Sequence, residues 1–381
     1  MSDVTLNLYL QHQVNIAQYS RSEIEEALSN LQRLQDDVKA RIASTTEFGS
    51  LSKTRLQGEL AAITKLMQDG YEAIGDDYRQ GQNDFVDEES EWQSAALSRI
   101  YEKDVAVISI REISSRNRLN EFEGKTFNRH LADISKRDSR NIRLAILDGV
   151  ALGRTNSQIV DSVAPSLRIG RRDLQTLIRT GIQSNAAAIR DDYFEQNSDI
   201  VKQVEWIATL DGRVTVICRE RDGKKYDAIT KQPIGHTLPW IGGTPAHFNC
   251  RSITLPVDDL EGKTRPGFDF NQETTSKATS TLRVATDENG RTLRAAEKGE
   301  RLGNLSKRMG AGRQYSSKVD FADWFRGQPA WFQDSYLGSK KAQLYRKGGL
   351  TLDKFSEKAA RPLSLKELKK LYPKQWEDTF G

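Results

Sequence analysis

Apolar side chains recur three and four residues apart through the first two hundred positions, and near residue 201 the period drops to two. That switch constrains the fold most, because a period near 3.6 buries one face of a helix and a period of two buries one face of a strand. Ile24, Leu28, Leu31, Val38 and Ile42 form one helical series, with Gln35 filling its gap, and Leu56, Leu60, Ile63 and Met67 form a second. The break at Thr45–Ser50 predicts that these helices pair antiparallel. A third helix is expected around Trp92, Ala96, Ile100 and Tyr101. The stripes suit a helical bundle; the alternative is a coiled-coil arm that docks on partner subunits, although they span only two or three heptads.

Residues 127–198 continue the helical pattern. Thr155 and Gln158 make a capping box that starts a helix. Leu174, Leu177, Ile178, Ile182 and Ala186 then share one face, and Arg168, Arg171, Arg172, Arg179 and Arg190 supply a polar face or a contact for phosphate or protein. Upstream, nine acids between residues 69 and 91 stand against Arg79 alone. Such a run reads as a solvated face or loop, which repels DNA and suits a basic protein surface.

From residue 201 the sequence VEWIATL alternates, placing Val204, Trp206, Ala208 and Leu210 on one side. Asp211-Gly212 and Asp222-Gly223 flank RVTVIC and mark hairpin turns. The expectation is a small antiparallel meander. A Gly- and Pro-rich loop from Pro233 to Pro245 follows, and RSITLPV returns as a strand. Residues 258–318 are polar and rich in Ser and Thr, with a further hairpin expected at Asn289-Gly290. The tail from residue 319 is aromatic and compact, ending in a helix started by Ser364.

A chain of 381 residues exceeds one simple core. The expected fold is a predominantly helical α+β protein in four parts. These are a helical N-terminal domain at 1–125 for partner docking, a domain at 126–257 whose β-unit is 201–257, an extended basic arm at 258–318, and a small C-terminal segment at 319–381. Net charge is +4, so contact with nucleic acid must come from local patches. The best such patch is Arg291, Arg294, Lys298, Arg301, Lys307, Arg308, Arg313 and Lys318, against two acids in the same stretch. A soluble basic linker explains those residues equally well. No apolar run is long enough to span a membrane, no secretory leader is readable, and two cysteines argue against a disulfide framework.

The whole cysteine complement and half the histidines fall between Cys218 and Cys250. His247 and Cys250 have an acceptable local spacing for zinc, with Cys218 as third ligand and Asp211, His236 or water as fourth. Two buried thiols packed beside a hydrogen-bonded histidine explain the same residues without metal. A Cys218–Cys250 disulfide and a Cys–His nucleophile are further alternatives, the latter without a readable orienting acid. Asp211, Arg213 and Arg251 suggest an architectural site in which a carboxylate and two guanidiniums pin the long loop onto the meander. No phosphate-binding loop, dinucleotide fingerprint or hydrolase elbow occurs.

Arg179-Thr180 on a helix, Trp206 in a strand, Asp211-x-Arg213 with Cys218, Gly223 in a turn, and Pro245-x-His247-x-Asn249-Cys250-Arg251 together resemble the phage Mu F-like minor head proteins. The resemblance covers about residues 130–257. It implies a structural component of the virion, present in several copies inside the head near the portal vertex. It implies roles in head morphogenesis and in DNA packaging or ejection. The partners it implies are the portal protein, the major capsid protein and packaged double-stranded DNA. No enzyme activity and no cofactor are expected. Many relatives carry C-x-x-C where this chain has Thr215-x-x-Cys218, which favours the architectural reading over a metal site. The alternatives are a zinc-dependent DNA-binding module and an enzyme, a nuclease or transferase, that uses the His/Cys/Asp cluster.

Overall fold

The computed structural model describes residues 4–109, 111–113, 120–257, 264–271, 311–357 and 361–381. Their chain contacts divide them into two compact units. One comprises Leu10–Asn197 and Thr244–Cys250; the other comprises Met1–Tyr9, Ser198–Gly243 and Arg251–Gly381. The fold class is predominantly helical α+β, as the periodicity requires.

Four long helices dominate the first unit: α1 (Val4–Ser44) from Leu10 onward, α2 (Lys53–Tyr101), α3 (Phe127–Ala151) and α4 (Asn156–Gln196). A short 3-10 turn at Phe48–Ser50 joins α1 to α2 at the break read from the sequence. The two-residue strands β1 (Glu121–Phe122) and β2 (Lys125–Thr126) precede α3. The apolar stripes meet in one core: Leu28, Leu31 and Val38 from α1, Leu60, Ile63 and Met67 from α2, Ile142 and Ile146 from α3, and Leu174, Ile178 and Ile182 from α4. Each fully buried side chain of this kind contributes about 1.5–3 kcal/mol. Gln35 is buried in the same stripe, and its Nε2 donates to Leu167 O on α4 at 3.0 Å. That bond explains how an amide occupies an apolar series.

α4 starts at the expected capping box. Thr155 Oγ1 accepts from Gln158 N, and the Gln158 side chain accepts from Thr155 N. α3 approaches α4 closely at Gly170, where a Cβ would collide with Asp138 Oδ2. Asp138 in turn accepts from Tyr71 of α2 at 2.7 Å, so a buried carboxylate on α3 bonds to α2 and packs against α4.

One expectation needs correction here. α2 runs unbroken through Trp92 to Tyr101, so the third N-terminal helix is the end of the second. The acidic run lies on this helix, as the solvated face that was one of its two expected readings. Its buried positions, including Tyr71, Ile74, Tyr78, Phe85 and Val86, keep helical spacing beneath the acids.

In the second unit β3 (Gln203–Ile207) is central to a four-stranded antiparallel sheet of order β5-β4-β3-β6. β4 is Lys225–Asp227, β5 is Pro233–Ile234 and β6 is Ile253–Pro256. Val204 pairs with Tyr226 on one side and Pro256 on the other; Trp206 pairs with Thr254. RVTVIC was expected to be a strand of this meander, and it is not. Val216–Arg221 is a helix, α5, with Thr215 at its N-cap. Both edges of β3 are already occupied by β4 and β6, so a strand there would have no central partner. Helix formation instead satisfies the backbone locally.

β7 (Thr264–Asp269) and β8 (Ala311–Ser316) pair antiparallel over six positions, inside the stretch expected to be an extended arm. Arg265 on β7 is buried and grips Asp222 at 2.9 and 3.0 Å while also donating to Ala208 O. The C-terminal helices are α6 (Phe321–Arg326), α7 (Ala330–Leu337), α8 (Ser339–Arg346), α9 (Leu365–Leu371) and α10 (Pro373–Phe380). The short strands β9 (Ser356–Glu357) and β10 (Arg361–Pro362) pair ahead of α9. Trp324 and Phe332 pack around Phe270, and Trp324 Nε1 donates to Phe268 O at 2.9 Å. Ser364 and Glu367 form the capping box of α9. No described helix is long and apolar enough to cross a membrane.

Candidate functional site

The loop Thr244–Cys250 belongs to the helical unit, and the chain enters the sheet unit at Arg251. Each side of that step has its own anchor. On the helical side the anchor is Asn249, whose φ of +58° is a left-handed conformation that asparagine tolerates better than most residues. Its backbone N–H donates to Thr180 Oγ1 at 3.0 Å, and its carboxamide oxygen accepts from Arg179 Nη1 at 2.9 Å. Its carboxamide nitrogen reaches Thr176 Oγ1 at 3.5 Å. Consecutive turns of α4 thus read both the backbone and the side chain of one loop residue. Arg190, buried on the same helix, donates to Thr244 Oγ1 at 3.2 Å and fixes the start of the loop. Phe248 meets His130 and Phe122 edge-on at 5.3 and 5.9 Å.

Inside the loop, Cys250 N donates to His247 O at 3.0 Å, which closes a turn and brings imidazole and thiol together. His247 Nδ1 donates to Phe248 O at 3.0 Å. Burial disfavours the charged ring, but the hydrogen bond and charge of Cys250, with the Phe248 carbonyl, outweigh it and raise the pKa of His247 above its ordinary value. Cys250 is 3% exposed. A nucleophile needs access to substrate, so this pairing does not read as a catalytic dyad. The loop offers two of the four donors that a structural zinc takes. Cys218, the third expected ligand, is buried on α5 in the other unit. His236, a candidate fourth ligand, is engaged with Lys225 O at 2.9 Å and packs edge-on against Tyr226.

On the sheet side the anchor is Asp211, which is fully buried just after β3. Arg251 donates through Nη2 to Oδ1 at 2.8 Å and through Nη1 to Oδ2. Arg213 N donates to Oδ1 at 2.8 Å, and the Arg213 guanidinium lies 3.7 Å from Oδ2. Burial alone would raise the Asp211 pKa; the bonds and charge of Arg251, with those of Arg213, reverse the sign and hold it below the usual carboxylate range. Trp206 is fully buried and meets Trp240 edge-on at 6.0 Å.

The structure therefore brings Arg179, Thr180 and Asn249 together in one unit, and Asp211, Arg213 and Arg251 together in the other. Of the eight cations considered for DNA, Arg313 and Lys318 are described. Arg313 pairs with Asp269 at 2.9 Å and stacks on Tyr315. Arg291, Arg294, Lys298, Arg301, Lys307 and Arg308 lie outside the described residues, as does the hairpin expected at Asn289-Gly290.

The comparisons with known proteins fall on this same stretch of chain. Residues 140–255 match the model of the phage Mu protein F like family. The matched segment runs from α3 through β6 and contains every residue of both anchors. No curated protein and no solved structure matches the chain. The matched segment also holds features that the sequence did not flag. The Asp222 carboxylate looked like an ordinary turn residue, and its partner Arg265 lies beyond the segment with no local signal. Glu205, on β3, is 6% exposed with Oε2 lacking a hydrogen-bond partner among the described residues. Its burial, with a smaller contribution from Asp222, raises its pKa to about 7 against the opposing pull of Lys225 and Arg265.

Proposed function

We infer that this chain is a phage minor head protein, a structural component of the virion that acts in head morphogenesis. In this reading it sits inside the head near the portal vertex, contacts the portal or major capsid protein, and takes part in DNA packaging or ejection. The observation that carries the reading is the family match over the segment that contains both anchors.

The chemistry of the anchors supports a structural role. Both Asp211 oxygens are engaged by Arg251 and Arg213, so they are committed to holding chain and not to accepting a substrate proton. Cys250 is buried beside His247. Asn249 is held by hydrogen bonds within one unit and Arg251 by an ion pair within the other, and side chains committed to holding chain suit an assembly subunit. The experiment is to detect the chain by mass spectrometry in purified virions and to compare images of wild-type and deletion particles. The reading expects a small number of copies per particle and density missing from the portal vertex of deletion particles. Absence of the chain from mature and immature heads would overturn it.

A further inference from the structure

The helical unit carries two exposed faces of opposite charge that do not neutralise each other. On α4, Arg168, Arg172 and Arg179 are exposed and stand at i, i+4 and i+11, which places them on one face over roughly 17 Å. Arg171 is exposed beside them. Arg21 of α1 lies within Coulombic reach of Arg179; burial first, and then that like charge, lower the pKa of Arg179 below its ordinary value. On α2, Asp84, Glu88 and Glu91 are exposed within the acidic run and stand at i, i+4 and i+7, which places them on one face. Among the described residues, no ion pair engages Arg168, Arg171 or Arg172, and none engages these three acids. Elsewhere in the acidic run Lys65 pairs with Asp69, Arg79 with Asp76 and His12 with the buried Glu89, and Asp77 is taken by Asn30.

We propose that the arginine stripe of α4 docks on the acidic face of α2 in a second copy of this chain, joining copies head to tail. The complement of the stripe is on the chain itself, which favours a second copy over a foreign partner. The cations of the stripe are all arginines, whose planar forks match carboxylates in pairs. A polyanion such as duplex DNA fits the stripe alone and is repelled by the α2 face of the same unit. Each contact uses one face per copy and leaves the other face free, so copies add into a ring or an open row. Single exposed ion pairs contribute little, so the association depends on several together and weakens as salt screens them. The inference does not rest on the assignment to a phage head.

The test is sedimentation of the full chain at low and high salt, with circular dichroism as a folding control. Arg179 is left intact because it also holds Asn249. The expected result is concentration-dependent association at low salt that dissolves at high salt. Either Arg168→Glu/Arg172→Glu or Glu88→Arg/Glu91→Arg should weaken it by at least about tenfold, as loss of complementary charge does at interfaces. Mixing the two variants should restore association, because each keeps one native face and their reversed charges complement each other. A monomer at every salt concentration overturns the proposal. So does association unchanged in both variants. Unchanged association with loss of retention on duplex DNA in the arginine variant also overturns it, and assigns the stripe to nucleic acid.

Discussion

Arg251 holds Asp211 through two guanidinium nitrogens, one on each carboxylate oxygen. The carboxylate is buried and the guanidinium is about one-third exposed. Removing one partner of such a pair leaves the other charge desolvated and unmatched. Asp211→Asn and Arg251→Met should each cost about 2–4 kcal/mol, a range reduced from the fully buried case because Arg251 reaches water. Urea unfolding checks this. The pH sign follows from the lowered pKa: the stability from Asp211 is present above the ordinary carboxylate value and is lost as pH falls through the lower folded value. Asp211→Asn should therefore blunt the loss of stability in acid. An unchanged acid limb would remove Asp211 from the account.

Asn249 tests the other anchor by a series. Asn249→Gly keeps the left-handed backbone and loses the side-chain bonds to Arg179 and Thr176. Asn249→Ala loses the same bonds and adds about 1 kcal/mol of backbone cost. Thr180→Val removes the acceptor of the Asn249 N–H and should cost about 1 kcal/mol. The expected order of melting temperatures is wild type, then Gly, then Ala. Equal values for Gly and Ala would mean that the loop relaxes out of the conformation described.

Glu205 should impose a second pH dependence of opposite sign. Its folded pKa of about 7 lies above its ordinary value of 4.5, so the folded chain binds more protons between those limits. Unfolding free energy should then fall as pH rises through that window, by about 3 kcal/mol in total, and level off above it. Glu205→Gln should abolish this slope and raise stability at pH 8. A wild-type slope retained in the variant would place the titration elsewhere.

Much of this architecture is written in local patterns, and its least readable parts are pairings between distant residues. The stripes of α1 and α2 and the capping boxes at Thr155 and Ser364 state a period or a cap within a few positions. Asn249 and Arg251 were readable because they crowd a short stretch where polar side chains have few other uses, whereas their partners lie far off in sequence, Arg179 and Thr180 on α4 and Asp211 and Arg213 after β3. α5 was not: six residues such as VICRER suit either period, and only the occupied edges of β3 decide between them. The continuity of α2 was hidden by its glycines and acids, which mimic a loop until the buried residues between them are seen to keep one face. The Asp222–Arg265 pair spans 43 positions with no spacing rule to reveal it.

The basic sequence between Arg291 and Lys318 yields a separate expectation for DNA. Replacing its cations by glutamine should lower retention on duplex DNA and flatten the dependence of binding on salt, by about one unit of slope for each phosphate no longer neutralised. Filter binding over a salt series reads both. Equal slopes for the two chains would assign these cations to solvent.

The central claim is that Asp211, Asn249, His247 and Arg251 hold shape and do not perform chemistry. Its most direct test measures unfolding free energy and infectious virion yield side by side for Asp211→Asn, Asn249→Ala, His247→Ala and Arg251→Met, each supplied to a phage lacking the chain. The account predicts that yield tracks stability across the set and recovers at lower temperature wherever folding recovers. A variant with wild-type stability, normal incorporation into heads and no yield would contradict it.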